Sequence, residues 1–244
     1  MLRKQSRLAL RMVSKPPLKV LDLCCGTSEH PNLPVLNAII ERKRGRSVEY
    51  YGINKSEPWF KEREKRQIEE GVNAAFYEER LSFQNPEGLK EILKKRFGDE
   101  KFDEIHFHVP DPVAPMKFHS EKNAAEILEI IKGRLKDGGK FSPSFDNATP
   151  FVHEDKTFGK IEEIKPAIRR LAESAGLELN ALGKCMTVHV PKLDGTGREW
   201  RGEWQVEIGG RPLKNLNRVS EVPAYTKFSG MAKGFFVLRK PKKT

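Results

Sequence analysis

Long apolar runs are missing from this chain. No stretch of its 244 residues approaches the roughly 18 that a membrane-crossing helix requires, so no contact with a bilayer core is expected. Cysteine is scarce: three are present, with Cys24 and Cys25 adjacent. Such a set makes neither a disulfide framework nor a zinc spacing, so a reducing, cytoplasmic setting and no metal site are expected. Acid is missing from both ends. Residues 1–19 hold six Lys or Arg, residues 233–244 hold five, and neither segment has an Asp or Glu. These eleven cations equal the whole formal net charge of +11, which leaves residues 20–232 neutral as a body. Basic ends suit a polyanion such as RNA. They serve equally as solvated tails, and residues 1–16 also have the composition of a short targeting segment.

What is present argues for a folded, soluble protein. Charged residues make up 32% and hydrophobic residues 37%, and aromatic and β-branched residues are spread throughout. The length suits one large α/β domain or two small ones. Apolar runs of strand length alternate with segments of helical spacing. Strands are expected at 19–23, 48–53, 74–77, 102–108, 140–145, 177–190 and 234–238. Helices are expected at 32–44, 56–70, 86–97, 121–136 and 161–175, the last with Pro166 inside it. Asp137, Gly138 and Gly139 read as the stop of the fourth helix. This alternation predicts a Rossmann-like, doubly wound, mostly parallel sheet, whose ligands bind at the carboxyl ends of the strands. Residues 191–223 are irregular, with a hairpin signal at Ile208-Gly209-Gly210-Arg211, and read as an insertion before the last strand. The expected organisation is a basic extension over 1–16 and one domain over 17–244.

The first strand runs into Asp22-Leu23-Cys24-Cys25-Gly26-Thr27-Ser28. Small residues at such a turn let a ligand come close to the main chain. A dinucleotide fingerprint wants Gly-x-Gly-x-x-Gly, with helix amides on a pyrophosphate. Here Gly26 is the one glycine and an acid stands two residues before Cys24. That pattern resembles motif I of class I S-adenosylmethionine-dependent methyltransferases, with Asp22, Cys24, Gly26 and Ser28 at its marked positions. Two of the motif's glycines are replaced, by Cys24 and Ser28. The resemblance implies S-adenosylmethionine as cofactor and a seven-stranded sheet with an antiparallel last strand. It also implies cofactor contacts from the ends of the second and third strands, here Asn54 and Glu78. The family usually has an acid at the position of Asn54. Glu78 and Glu79 read equally well as solvated charges.

The fourth strand continues as Pro110-Asp111-Pro112. Each proline ring fixes its φ, so the acid between them is stiffly presented at a strand end. From here the chain resembles the bacterial-type tRNA (guanine-N7)-methyltransferase family, whose members carry a Phe-Pro-Asp-Pro-Trp-Pro-Lys-Lys-Arg-His type segment. Pro110, Asp111 and Pro112 match it directly, and Pro115, Lys117 and His119 match after one inserted residue. Asp146 matches the Asp of the family's Thr-Asp pair. Thr226-Lys227-Phe228-Ser229 matches its Thr-Lys-Phe-Glu motif except at Ser229. The chain departs from the pattern at Val113, where the family has Trp, and at Met116, Phe118, Glu121 and Asn123, where it has Lys or Arg.

The resemblance implies methyl transfer to guanine N7 in tRNA. That nitrogen has a free lone pair, so alignment and a suitable electrostatic site are needed and a general base is not. Asp111 is the implied catalytic carboxylate, and His119, Asp146, Thr226 and Phe228 frame the target nucleotide. The antiparallel last strand implies that Thr226 lies at the active end and that Arg239 exits at the opposite one. The implied partner is tRNA or another RNA, and a monomer or homodimer is expected. Two further readings stay open: methylation of a small molecule or protein, and an RNA-binding protein that kept the fold and lost turnover. A nicotinamide oxidoreductase fits the glycine spacing less well. Between His106 and His108, which alternate on the fourth strand, one is expected in the core or against a helix.

Overall fold

A computed structural model describes residues 16–23, 46–54, 72–81, 85–109, 121–146, 152–153, 156–157, 161–191, 198–212 and 232–242. The elements in chain order are β1 (Leu18–Leu23), β2 (Val48–Asn54), β3 (Val72–Glu78), α1 (Pro86–Phe97), β4 (Phe102–Val109), α2 (Glu121–Arg134) and β5 (Leu135–Asp146). They continue as β6 (Val152–His153), β7 (Lys156–Thr157), α3 (Ile161–Ser174), β8 (Glu178–Pro191), β9 (Arg198–Ile208), β10 (Arg211–Pro212) and β11 (Ala232–Arg239). The helices expected at 32–44 and 56–70 lie outside the described residues.

Local chemistry accounts for the helices. Asn85 caps α1 by accepting the Gly88 amide at 3.0 Å, Pro86 occupies the first turn, and Gly98 closes the helix at φ +53°. Leu89, Leu93 and Phe97 recur every four residues and are all buried. In α2 the buried stripe is Ala124, Ile127, Leu128 and Ile131, and in α3 it includes Ile168 and Ala172. Burying each large apolar side chain contributes about 1.5–3 kcal/mol.

The three helices pack on one face of the sheet, against Leu21, Leu23, Ile53, Ile105, Phe107, Phe141 and Phe236. Tyr51, Tyr77, Phe97 and Phe102 meet edge to face within this layer, with ring centroids 5.4–5.8 Å apart. The opposite face carries a smaller apolar cluster of Val20, Val48, Tyr50 and Val72. Period-2 alternation explains the division: Leu21 and Leu23 face the helices, and Val20 and Asp22 face the other way.

The fold is mixed α/β, Rossmann-like, around a sheet ordered β10-β9-β8-β11-β5-β4-β1-β2-β3. β1 to β5 are mutually parallel. β11 lies antiparallel between β5 and β8, as expected for the last strand. Among the described residues the main sheet has nine strands, not the seven expected. The added strands come from the segment read as irregular: Arg198–Ile208 pairs along its whole length with β8. Gly209 and Gly210, both at positive φ, then turn the chain into β10. One helix end is also corrected. α2 stops at Arg134 because Leu135 pairs with Phe102, and Gly138, at φ +77°, sits in an irregularity of the β4–β5 ladder. Among the described residues no helix is long and apolar enough to cross a membrane.

Candidate active site

The strand order reverses at β1. Its neighbours are β2 on one side and β4 on the other, and their next neighbours, β3 and β5, lead outward. In parallel α/β sheets, ligands bind outside the carboxyl ends of the strands at such a reversal. Register shows what stands there. Asp22, one residue before the end of β1, lies between Gly52 of β2 and His106 of β4. Asn54 ends β2 and pairs in register with Glu78, which ends β3. Asp146 ends β5, opposite Lys233 of β11.

Asp22 is the most unusual group. It is 1% exposed, and its Oδ2 accepts the Tyr50 hydroxyl at 2.5 Å. Burial pushes its carboxyl up to about 7, and the Tyr50 hydrogen bond offsets only part of that rise. Its Oδ1 has no hydrogen-bond partner among the described residues. Asn54 is also buried, and its carbonyl accepts the Glu79 amide at 2.9 Å. Glu78 is exposed. Glu79 is held instead by Lys95 at 3.1 Å and Arg96 Nε at 2.7 Å, and the two cations keep its carboxyl below the usual range.

These residues fit S-adenosylmethionine. A buried carboxylate with one unpartnered oxygen suits a cationic ammonium, and a side-chain amide offers both a donor and an acceptor to ribose hydroxyls. The sheet therefore brings Asp22, Asn54, Glu78 and the backbone of Asp146 to one edge. Cys24, Gly26, Ser28, Asp111, His119, Thr226 and Phe228 lie outside the described residues. By chain position Cys24 directly follows β1, and Asp111 comes two residues after Val109, the end of β4.

Sequence reasoning missed Tyr50 as the donor to Asp22. It also missed a buried polar chain beside it. His106 Nε2 lies 2.9 Å from Glu104 Oε2, and Lys140 lies 3.2 Å from Glu104 Oε1. Glu104 and His106 are the register partners of Val20 and Asp22, so this chain shares Asp22's face of the sheet. Polar residues at alternating positions 104 and 106, and 140 and 142, were the available signal. His106 is the buried histidine expected of the pair.

No family model matches the chain, and no curated protein matches it. Solved structures do. TrmN from Thermus thermophilus is 16% identical over 92% of this chain and 44% of its own, with a TM-score of 0.43. The chain thus spans less than half the length of TrmN. The 16S rRNA (adenine(1408)-N(1))-methyltransferase from Catenulisporales acidiphilia is 11% identical, over 94% of this chain and 90% of its own, with a TM-score of 0.49. The antibiotic-resistance methyltransferase Kmr is 14% identical over 94% and 89%, with a TM-score of 0.46.

Proposed function

We propose that this protein is an S-adenosylmethionine-dependent methyltransferase acting on RNA, with guanine N7 of tRNA as the leading target. The strand order carries the methyltransferase part of this reading, and the match around Asp111 and Thr226 suggests the RNA target. β3-β2-β1-β4-β5 followed by an antiparallel β11 and then β8 is the arrangement expected of a class I methyltransferase sheet. In the dinucleotide-binding order a parallel sixth strand follows the fifth directly.

Asp22 and Asn54 would hold the amino-acid end and the ribose of the cofactor, with Cys24, Gly26 and Ser28 forming the close turn between them. Glu78, beside Asn54 in register, flanks the adenine side. The bound cofactor supplies an electrophilic methyl group. The chain's own residues orient the acceptor. Asp111, stiffened by Pro110 and Pro112, accepts hydrogen bonds from the guanine edge and favours the positive charge that grows on the base. Asp146, Thr226, Phe228 and His119 frame the nucleotide.

The test is transfer of label from radioactive S-adenosylmethionine to unmodified bulk tRNA, with Asp111→Ala as control. Label in tRNA that is lost in the variant, followed by recovery of 7-methylguanosine, is the expected result. Label in another nucleoside would retain the enzyme and overturn the target atom. A second reading, an RNA-binding protein without turnover, is favoured by the uncharged Asn54 where an acid is expected. Tight tRNA binding with neither cofactor binding nor label would select it.

A further inference from the structure

Asp22 is held from one side. Its Oδ2 accepts the Tyr50 hydroxyl at 2.5 Å, and its Oδ1 has no partner among the described residues. Tyr50 pairs in register with Val20, two residues nearer the amino end of β1. The hydroxyl therefore reaches Asp22 from within the sheet, away from the carboxyl ends at which ligands of such sheets bind. The ring that carries it is fixed. It is fully buried, belongs to the cluster of Val20, Val48 and Val72, and stands 5.8 Å from the Phe76 ring, centroid to centroid.

A pair that served the fold alone does not account for Oδ1. Buried polar groups are normally satisfied, and an orphaned acceptor is costly. Asp22 is 1% exposed, so bulk solvent does not supply the partner. The chemistry that would is a donor, best a cation. Two effects act on the acid in opposite directions. Burial favours its protonated form, with the carboxyl pushed up to about 7, and the Tyr50 hydrogen bond favours the anion. The titratable groups described next to it on this face are Tyr50 itself, Glu104 and His106 on β4, and Lys140 on β5. The last three are engaged with one another: His106 Nε2 lies 2.9 Å from one Glu104 oxygen and Lys140 lies 3.2 Å from the other.

We propose that Tyr50 is a positioning residue of the cofactor site: its hydroxyl orients the Asp22 carboxylate and favours its ionised form, so that Oδ1 receives the ammonium of S-adenosylmethionine while the Asp22 proton leaves to solvent. This role rests on the methyltransferase reading above and adds to it the residue that readies the acid. Tyr50 acts through Asp22 and does not itself touch the cofactor. Charge balances, since a neutral acid and a cation become an ion pair and one released proton. Binding therefore competes with the proton. Affinity should rise about tenfold per pH unit while Asp22 is still protonated and level off once it is ionised. Loss of the hydroxyl moves that levelling point to higher pH.

The full-length protein is titrated with S-adenosylmethionine by calorimetry in two buffers of different ionisation enthalpy, which counts the protons released. The range is about pH 5.5 to about pH 7.5, below the ordinary α-amino range of about 7.7–8.0, so that the ligand's own ammonium stays charged. Wild type should release about one proton at the acid end and fewer at the other. Tyr50→Phe keeps the ring and should bind roughly tenfold more weakly near about pH 6, with a gap that narrows as pH rises. Asp22→Asn should lose both the proton release and the pH dependence. If Tyr50→Phe loses its thermal transition, wild type carrying 3-fluorotyrosine, whose hydroxyl is a stronger donor, decides instead: its profile should move to lower pH. A Tyr50→Phe deficit that is equal at every pH, or absent, overturns the positioning role and leaves the cofactor reading standing. An unmoved fluorotyrosine profile, or proton release that persists in Asp22→Asn, does the same. No binding of S-adenosylmethionine by wild type at any pH removes the cofactor reading, and the positioning role with it.

Discussion

The Tyr50 hydroxyl donates to Asp22 Oδ2 across 2.5 Å, between two strands and out of reach of solvent. One carboxylate oxygen is thereby satisfied and the other, Oδ1, is left for a group that the described protein does not supply. A site acid held in this way is oriented by its neighbour on β2 before any ligand arrives.

The titration of Asp22 has a definite sign. Burial raises its folded carboxyl from 3.8 to about 7, so across that window the folded chain keeps a proton that the unfolded chain releases. Its contribution to stability is therefore most favourable below the unfolded value. It declines by up to about 1.4 kcal/mol per pH unit as pH rises towards 7, and levels off above. Asp22→Asn removes the titrating group, so its urea midpoint should gain on that of wild type between pH 5 and pH 8. An offset identical at both pH values would contradict this account.

Tyr50→Phe deletes the donor and leaves both Asp22 oxygens without a described partner. A stability loss of about 1–3 kcal/mol is expected, with the Asp22 carboxyl displaced further upward. Chemical denaturation measures the first. Infrared absorption of the protonated carboxyl above pH 7 checks the second, and its absence would argue that the hydroxyl contributes little.

Glu104 ties together His106 at 2.9 Å and Lys140 at 3.2 Å, with Glu104 and His106 buried. Glu104→Gln removes the charge that both partners face. Because Lys140 is left half-buried with this ion pair broken, a loss of about 1–3 kcal/mol is expected. A denaturant midpoint within error of wild type would show that Lys140 escapes to water.

Lys240 belongs to the basic carboxyl-terminal segment, yet its ammonium is committed to the fold. It donates to the carbonyl of Leu135 at 2.9 Å and to that of Lys132 at 3.4 Å, and lies 3.3 Å from Asp137. It thus satisfies carbonyls at the end of α2 and complements the helix dipole. Lys240→Met should destabilise by about 1–2 kcal/mol while leaving RNA affinity unaltered. A fall in RNA affinity without a fall in stability would return this lysine to the binding surface.

Two glycines should respond in opposite directions. A Cβ on Gly133, inside α2, would meet nothing within 4 Å, so Gly133→Ala should stabilise by about 0.5–1 kcal/mol. A Cβ on Gly139 would stand 2.8 Å from the Lys136 carbonyl oxygen and 3.1 Å from those of Phe102 and Asp103. Those are backbone atoms of the β4–β5 junction, and Gly139→Ala should cost about 1–3 kcal/mol. Thermal melts of the two variants test the contrast.

Local patterns account for what could be read in advance. Asn85 and Pro86 announced α1, the alternation along β1 and β4 announced strands, and Gly209-Gly210 announced a hairpin. The end-of-strand positions of Asp22, Asn54, Glu78 and Asp146 were legible for the same reason: an apolar run that stops at a polar residue marks its own end. The β9 strand was missed although its signal was present: Trp200, Trp204, Val206 and Ile208 alternate with Glu199, Arg201, Glu203, Gln205 and Glu207, and pairing with β8 makes the segment a strand.

The sequence by itself therefore determined most of the described elements, their order and the class of the sheet, because periodicity and capping act within a few residues. It also determined which chemical groups end each strand. Tertiary structure alone decided that β11 slots between β5 and β8, that Tyr50 serves Asp22, that Lys240 caps α2, and that β9 pairs along β8. Backbone ladders are chemically alike from strand to strand. Which strands pair, and in what register, is selected only when every apolar face and every polar group must be accommodated at once.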